Sequence, residues 1–181
     1  MEIRSAKDTD QQHRWLTAEL RSDHAGETGA VSIYSGILAI SRDNGVRAFA
    51  LNHRDTEKRH LALIETILPK PDRSRLLPLW RAAGFVTGAI PSLFGPNAVF
   101  ATIAAVESFV DSHYQQQIVH LADTHFEPQV REILQACRED ELQHRDEALE
   151  LQAQASGMIL RSWCWLVDSG SKIAVTFARW V

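Results

Sequence analysis

Six side chains in this sequence have the types and spacing to hold metal ions: Glu27, Glu57, His60, Glu107, Glu141 and His144. Glu57 and His60 stand three residues apart, and so do Glu141 and His144. On a helix, residues i and i+3 differ by about 60° in azimuth and about 4.5 Å in height, so a carboxylate oxygen and an imidazole nitrogen can aim at one ion. A single Glu-x-x-His pair would be ordinary in a chain this rich in glutamate and histidine. Here each pair follows another glutamate at a similar remove along the chain, Glu57 after Glu27 and Glu141 after Glu107. Tyr34 and Tyr114 extend the pattern, each two helical turns after its glutamate. The sequence thus contains a duplicated pair of helices, Glu27 matching Glu107 and Glu57 matching Glu141, and not the many copies a solenoid needs.

Helices must present these groups, and the apolar pattern supplies them. Four long helices are predicted over 13–42, 46–67, 97–124 and 128–156, with further apolar segments at 76–94 and 159–180, all in one domain spanning 1–181. Proline and glycine gather in 69–96, and no stretch alternates like a half-buried strand. The buried seam of the first helix reads Leu20, His24, Glu27, Val31, Tyr34, Leu38; that of the second reads Phe49, His53, Glu57, His60, Ile64, Ile67. The third gives Phe100, Ile103, Glu107, Val110, Tyr114, Gln117, Leu121, and the fourth Val130, Leu134, Cys137, Glu141, His144, Ala148, Leu151. Steps of three and four make the packing stripe of an antiparallel bundle. Every stripe carries a glutamate where leucine belongs.

An unpaired buried carboxylate costs several kcal/mol even after relaxation. Four of them would overwhelm a domain whose whole stability is about 5–15 kcal/mol. No lysine or arginine lies on any seam, so the compensating charge must come from cations. Two Glu-x-x-His pairs with one further glutamate from each remaining helix form the donor set of the ferritin-like di-iron and di-manganese carboxylate proteins. The expected fold is therefore all-α, a ferritin-like antiparallel four-helix bundle with two additional apolar helices. Oxygen-rich ligands with two imidazoles and no thiolate suit iron or manganese without excluding zinc. Two iron ions per chain are the expectation.

The bulk properties narrow the function further. The net charge is −4 and basic residues are scattered among acids, which argues against nucleic acid as a partner. Cys137 and Cys164 lie among apolar neighbours and read as reduced structural residues. The N-terminal stretch MEIRSAKDTD has no apolar core and three acids, unlike a secretory or mitochondrial leader, so a cytoplasmic bacterial protein is expected.

At the level of motifs the chain resembles the demethoxyubiquinone hydroxylase family of ubiquinone biosynthesis. The resemblance rests on DHAGETGAVSIYSG (23–36), Glu57-Lys58-Arg59-His60, LLPLWRAAGFVTGA (76–89), AAVESFVDSHYQQQI (104–118) and DELQHRDEAL (140–149). Thr28 and Ser108 depart from residues common in the family, at positions that are not ligands. The resemblance implies a di-iron monooxygenase that hydroxylates the ring of a polyprenyl methoxy-benzoquinol, demethoxyubiquinol, with O₂ as co-substrate and NADH as reductant. It implies Glu27, Glu57, His60, Glu107, Glu141 and His144 as iron ligands, Glu57 and Glu141 bridging. It also implies that His113 and Tyr114 sit by the quinone and help its reduction, a core tyrosine being the alternative for Tyr114. No Gly-x-Gly-x-x-Gly follows a strand, so no Rossmann-type nicotinamide site is expected. Tyr34 reads as core. His24 is a candidate to hydrogen-bond a ligand, and His53, His120 and His125 read as surface or packing residues.

From Ala82 to Val106 the chain carries no charge, a stretch long enough to span a bilayer, but Pro91 and Gly95-Pro96 interrupt it. The last segment mixes Trp163, Trp165, Ile173, Phe177 and Trp180 with Arg161, Lys172 and Arg179, a pattern suited to the headgroup layer. Peripheral attachment to the cytoplasmic face of the bacterial inner membrane is the expectation, with a homodimer or another ubiquinone-biosynthesis protein as further partners for the same apolar surface. Two alternatives stand beside the hydroxylase: another ferritin-like activity such as iron storage or peroxide reduction, and a non-catalytic membrane-bound scaffold of a quinone-biosynthetic complex.

Overall fold

A computed structural model describes residues 6–181; residues 1–5, part of the stretch read for targeting, lie outside it. Within the described residues six helices follow one another: α1 (Ala6–Ile40), α2 (Asn44–Ile67), α3 (Leu77–Ser92), α4 (Pro96–Thr124), α5 (Pro128–Leu151) and α6 (Met158–Ala178), with a 3₁₀ turn at Lys70–Asp72. Among the described residues there is no strand.

The connections explain the boundaries. Asp43 caps α2, its Oδ1 accepting from the Val46 N–H at 2.9 Å. Gly95, at φ 94°, makes the left-handed step between α3 and α4, and Pro96 then occupies the first turn of α4. His125 and Glu127 both adopt positive φ between α4 and α5, so His125 serves as an exposed helix cap. Three expectations need adjustment. α1 already runs from Ala6, seven residues ahead of the expected start at 13. Pro91 does not break α3; it lies in the last turn, so the i−4 bond it cannot donate is lost only at the very end, and the helix stops one residue later. α5 ends at Leu151, short of residue 156, because Gln152 Nε2 donates to Gln154 O (3.1 Å) and Ser156 Oγ (2.9 Å), folding the connection to α6.

α1 pairs with α2 and α4 with α5, and the two pairs meet through α2 and α5. α3 packs mainly on α1, and α6 packs mainly on α4, so both flank the side of the bundle that α1 and α4 form. Two apolar clusters fill the interior. One gathers Tyr34, Ile37, Phe49, Phe100 and Ile103; the other gathers Leu16, Leu20, Ile64, Leu121, Leu134 and Cys137. The acidic residues of the seams occupy the layer between them.

The glycines of the LLPLWRAAGFVTGA segment have a packing reason. A Cβ at Gly88 would lie 1.9 Å from the Ile33 carbonyl oxygen, and one at Gly84 would lie 2.3 Å from that of Gly29. α3 and α1 touch backbone to backbone, which no larger residue permits. Their outer faces are different. Among the described helices none is long and apolar enough to cross a membrane. Even so, Leu79, Val86, Leu93 and Phe94 at α3, and Ile159, Trp165, Ile173, Phe177 and Trp180 at α6, are exposed.

Gly88→Ala should destabilise the fold by at least about 1 kcal/mol through overpacking. Gly170→Ala, in α6 with no neighbour within 4 Å, should stabilise it by about 0.5–1 kcal/mol as a helix-interior exchange. Thermal unfolding of both variants checks the pair; equal effects would contradict the backbone contact.

Candidate metal centre

The six candidate residues converge. Glu27 comes from α1, Glu57 and His60 from α2, Glu107 from α4, Glu141 and His144 from α5, and all six are buried. They form two overlapping groups whose donor atoms lie within 4.8 Å of one another: Glu27, Glu57, His60 and Glu141, and Glu57, Glu107, Glu141 and His144. Glu57 and Glu141 belong to both.

The imidazoles turn Nδ1 inward. His60 Nδ1 lies 3.0 Å from Glu141 Oε1, 3.6 Å from Glu57 Oε2 and 3.7 Å from Glu27 Oε2. His144 Nδ1 lies 3.1 Å from Glu57 Oε1 and 3.2 Å from Glu141 Oε2. On the outer side, His60 Nε2 is 3.0 Å from Asp140 Oδ2, a carboxylate that fixes the ring and leaves the Nδ1 lone pair facing the centre.

The donor atoms are short of partners. Glu27 Oε2, both oxygens of Glu57, Glu141 Oε2 and His144 Nδ1 are buried and make no hydrogen bond. Buried polar atoms are rarely left so in native proteins. Five of them in one spot, surrounded by four carboxylates, fit a pair of cations.

Protons substitute for that charge in the metal-free protein. Burial and the neighbouring Glu57 push the Glu27 carboxyl well above the usual range, and burial with Glu141 and Glu57 does the same to Glu107. Burial would also raise Glu57, but contacts with His144 and His60 outweigh it and bring it to about 2. Burial alone would lower the two imidazoles. Glu141 and Glu57 reverse this, holding His60 far above its ordinary value and His144 at about 10.

Two tyrosines tie the halves together. Tyr34 on α1 donates to Glu107 Oε1 on α4 at 3.0 Å, and Tyr114 on α4 donates to Glu27 Oε1 on α1. The antiparallel run of α1 against α4 turns one repeated spacing into two reciprocal bonds. Tyr34 is therefore more than core, as its sequence repeat with Tyr114 could have signalled.

The other histidines are placed as follows. His24 does not reach a candidate ligand; its Nε2 lies 3.2 Å from Glu65 Oε1 at the edge of the bundle. His53 is fully buried, as a packing residue, and stands edge-on to the His144 ring at 4.0 Å with Nε2 3.0 Å from Glu147 Oε2. Burial and the nearby His144 lower its pKa to about 4. His120 packs on Trp15. His113 and Tyr114, adjacent in sequence, part company: Tyr114 faces Glu27, while His113 faces Asp23 and lines a cavity of 340 Å³ between α4 and α6. Asp140 and Asp23 carried no such signal in the sequence. Asp140 is the immediate neighbour of Glu141 but off the seam, and its partner lies on another helix. Both cysteines are free; Cys137 is buried, and burial with the nearby Glu27 pushes its thiol up to about 12.

Comparison with known proteins gives a consistent result. The sequence pattern of the family described as ubiquinone biosynthesis protein COQ7 matches residues 14–178. The chain is 33% identical over 159 residues to the NADPH-dependent 3-demethoxyubiquinone 3-hydroxylase, mitochondrial, of Dictyostelium discoideum, covering 86% of this chain and 73% of that protein. It is 38% identical over 130 residues to the 3-demethoxyubiquinol 3-hydroxylase of Rhodospirillum rubrum, covering 70% of this chain and 60% of that protein. The Homo sapiens NADPH-dependent 3-demethoxyubiquinone 3-hydroxylase, mitochondrial, is 32% identical over 164 residues, with 86% and 73% covered.

Metal binding should release more than one proton per chain at neutral pH, because His60, His144, Glu27 and Glu107 all hold protons more tightly in the metal-free site. Affinity should accordingly fall as pH is lowered. Titration calorimetry in buffers of different ionisation enthalpy counts the protons; binding without proton release would contradict the site.

Proposed function

The chain belongs to the ubiquinone biosynthesis protein COQ7 family, and from that premise we propose that residues 1–181 work as one di-iron monooxygenase domain, hydroxylating the ring of a polyprenyl demethoxyubiquinol. The observation that carries the reading is the overlapping pair of Glu/His groups with unpartnered inward oxygens. Glu27 and His60 would hold one ion, Glu107 and His144 the other, and Glu57 and Glu141 both. Four carboxylates against two divalent ions leave a neutral centre that a dry core tolerates.

When bound, an iron pair supplies the activation of O₂. In the overall reaction a ring C–H becomes C–OH, the second oxygen atom leaves as water, and a nicotinamide nucleotide gives two electrons. The family resemblance implied NADH, and the names of the Dictyostelium and human relatives specify NADPH; a reduced nicotinamide is the class proposed. The protein's own part is to fix the donors and exclude water. Tyr34 and Tyr114 hold Glu107 and Glu27 on the α1/α4 side, and Asp140 holds His60 on the α2/α5 side. His113 and Tyr114 are the residues proposed to serve the quinone. His113 faces the cavity between α4 and α6, and Tyr114 links the same stretch of α4 to Glu27.

The exposed apolar residues of α3 and α6 favour a lipid substrate over iron storage or peroxide reduction, which need no such faces. Both helices flank the α1/α4 side, with Arg161, Lys172 and Arg179 among the aromatic residues of α6. Peripheral seating on the cytoplasmic face of a bacterial inner membrane suits them, and a second copy or another ubiquinone-biosynthesis protein would use the same apolar surface.

A strain lacking the gene should accumulate demethoxyubiquinone, and the intact gene, but not one carrying Glu141→Ala, should restore ubiquinone. Normal ubiquinone in the deletion strain, measured by lipid extraction and mass spectrometry, would refute the substrate.

A further inference from the structure

The two halves of the centre repeat one another in their donors but not in the residues behind them. Asp140 stands immediately before Glu141, whereas Thr56 holds the matching place before Glu57. One turn before Glu141 stands Cys137, and one turn before Glu57 stands His53.

These exchanges give the two ligand imidazoles different partners. His60 Nε2 lies 3.0 Å from Asp140 Oδ2, so a carboxylate accepts its N–H. Among the described residues nothing accepts a hydrogen bond from His144 Nε2. The His144 ring meets His53 instead, with centroids 4.0 Å apart and planes at 69°. A carboxylate is present on this side too, but one ring further out: Glu147 Oε2 lies 3.0 Å from His53 Nε2 and is engaged there. Thr56 is buried and adds no anion; its Oγ1 accepts from Arg59 at 2.9 Å.

A carboxylate on the outer nitrogen of a metal-bound imidazole fixes the ring and makes the inner nitrogen a better donor. Removing such a partner lowers metal affinity by about 10–100-fold. Asp140 is 46% exposed, so water screens part of its charge and the lower end of that range applies. The other donors do not discriminate between the ions. Glu57 and Glu141 serve both, and the reciprocal tyrosines hold Glu27 and Glu107 alike.

We propose that Asp140 makes the two metal positions unequal: the one held by Glu27 and His60 is tighter and fills first, and the one held by Glu107 and His144 fills second and empties first. A chain carrying one ion is then a defined species with its metal beside Glu27, not a mixture of two half-filled forms.

The inference rests on the two-ion reading of the centre, and the test separates the two. Full-length metal-free protein is titrated with manganese(II), the free ion being followed by electron paramagnetic resonance. Repulsion between the ions would make even a symmetric centre fill in two steps, so the positions are compared one at a time. Glu107→Ala leaves the His60 position and Glu27→Ala leaves the His144 position. The Glu107→Ala protein should bind its ion at least about tenfold more tightly than the Glu27→Ala protein. Adding Asp140→Asn should remove that advantage and leave the affinity of Glu27→Ala little changed. In the wild type, nitrogen-15 NMR with one equivalent of zinc should show the His60 ring reaching its bound position while His144 remains free. Equal affinities in the two glutamate variants overturn the proposal and leave the two-ion reading standing. So does a His144 signal that moves with or ahead of that of His60, a result that stands even if the variants fail to fold. A wild-type protein that takes up fewer than two ions overturns the two-ion reading, and the proposal with it.

Discussion

Four carboxylates brought together inside a helical bundle are the constraint on which the rest of this structure depends. Each glutamate is held within a few ångströms of others in a place that water does not reach, so their repulsion cannot be screened. Without metal, protons taken up by Glu27, Glu107, His60 and His144 relieve it. Two divalent cations would relieve it more completely and use the inward oxygens that protons leave without partners. The apolar clusters on either side of the acidic layer supply the stability that offsets it.

The duplication gives the centre its order. Because α1 runs against α4, one tyrosine placed two turns after each glutamate yields two bonds that cross between the halves. Symmetry stops at the imidazoles: His60 is backed by Asp140, whereas His144 is backed by the ring of His53. The two sides of the bundle differ as well. α2 and α5 bring charged residues such as Asp140 and Glu147 toward solvent, while α3 and α6 cover the opposite side with exposed aliphatic and aromatic residues. A polar side for small ions and water and an apolar side for a lipid suit a catalyst that joins the two.

Much of this was legible in the sequence because burial on a helix leaves a period. The six donors, the four core helices and the two apolar segments all follow from spacing, and their limits agree to within a few residues except at the start of α1 and the end of α5. The glycines of α3 were visible as a motif, but their reason, contact with the backbone of α1, belongs to tertiary packing. What spacing could not show were partners on other helices. Asp140 lies off its own seam, Asp23 sits beside a seam residue, and His53 has the same period as any core side chain. Each gains its meaning from a neighbour distant in sequence: His60, His113 and His144. Tyr34 was the exception, since its repeat with Tyr114 carried the information in the spacing itself.

Two cations that share Glu57 and Glu141 would compensate the four glutamates and two histidines together. Elemental analysis of the purified full-length protein tests this compensation most directly. About two iron ions per chain are expected, with both lost together when Glu57 is replaced by Ala. A protein that stays metal-free after incubation with ferrous iron, or one that binds a single ion unaffected by that change, would contradict it.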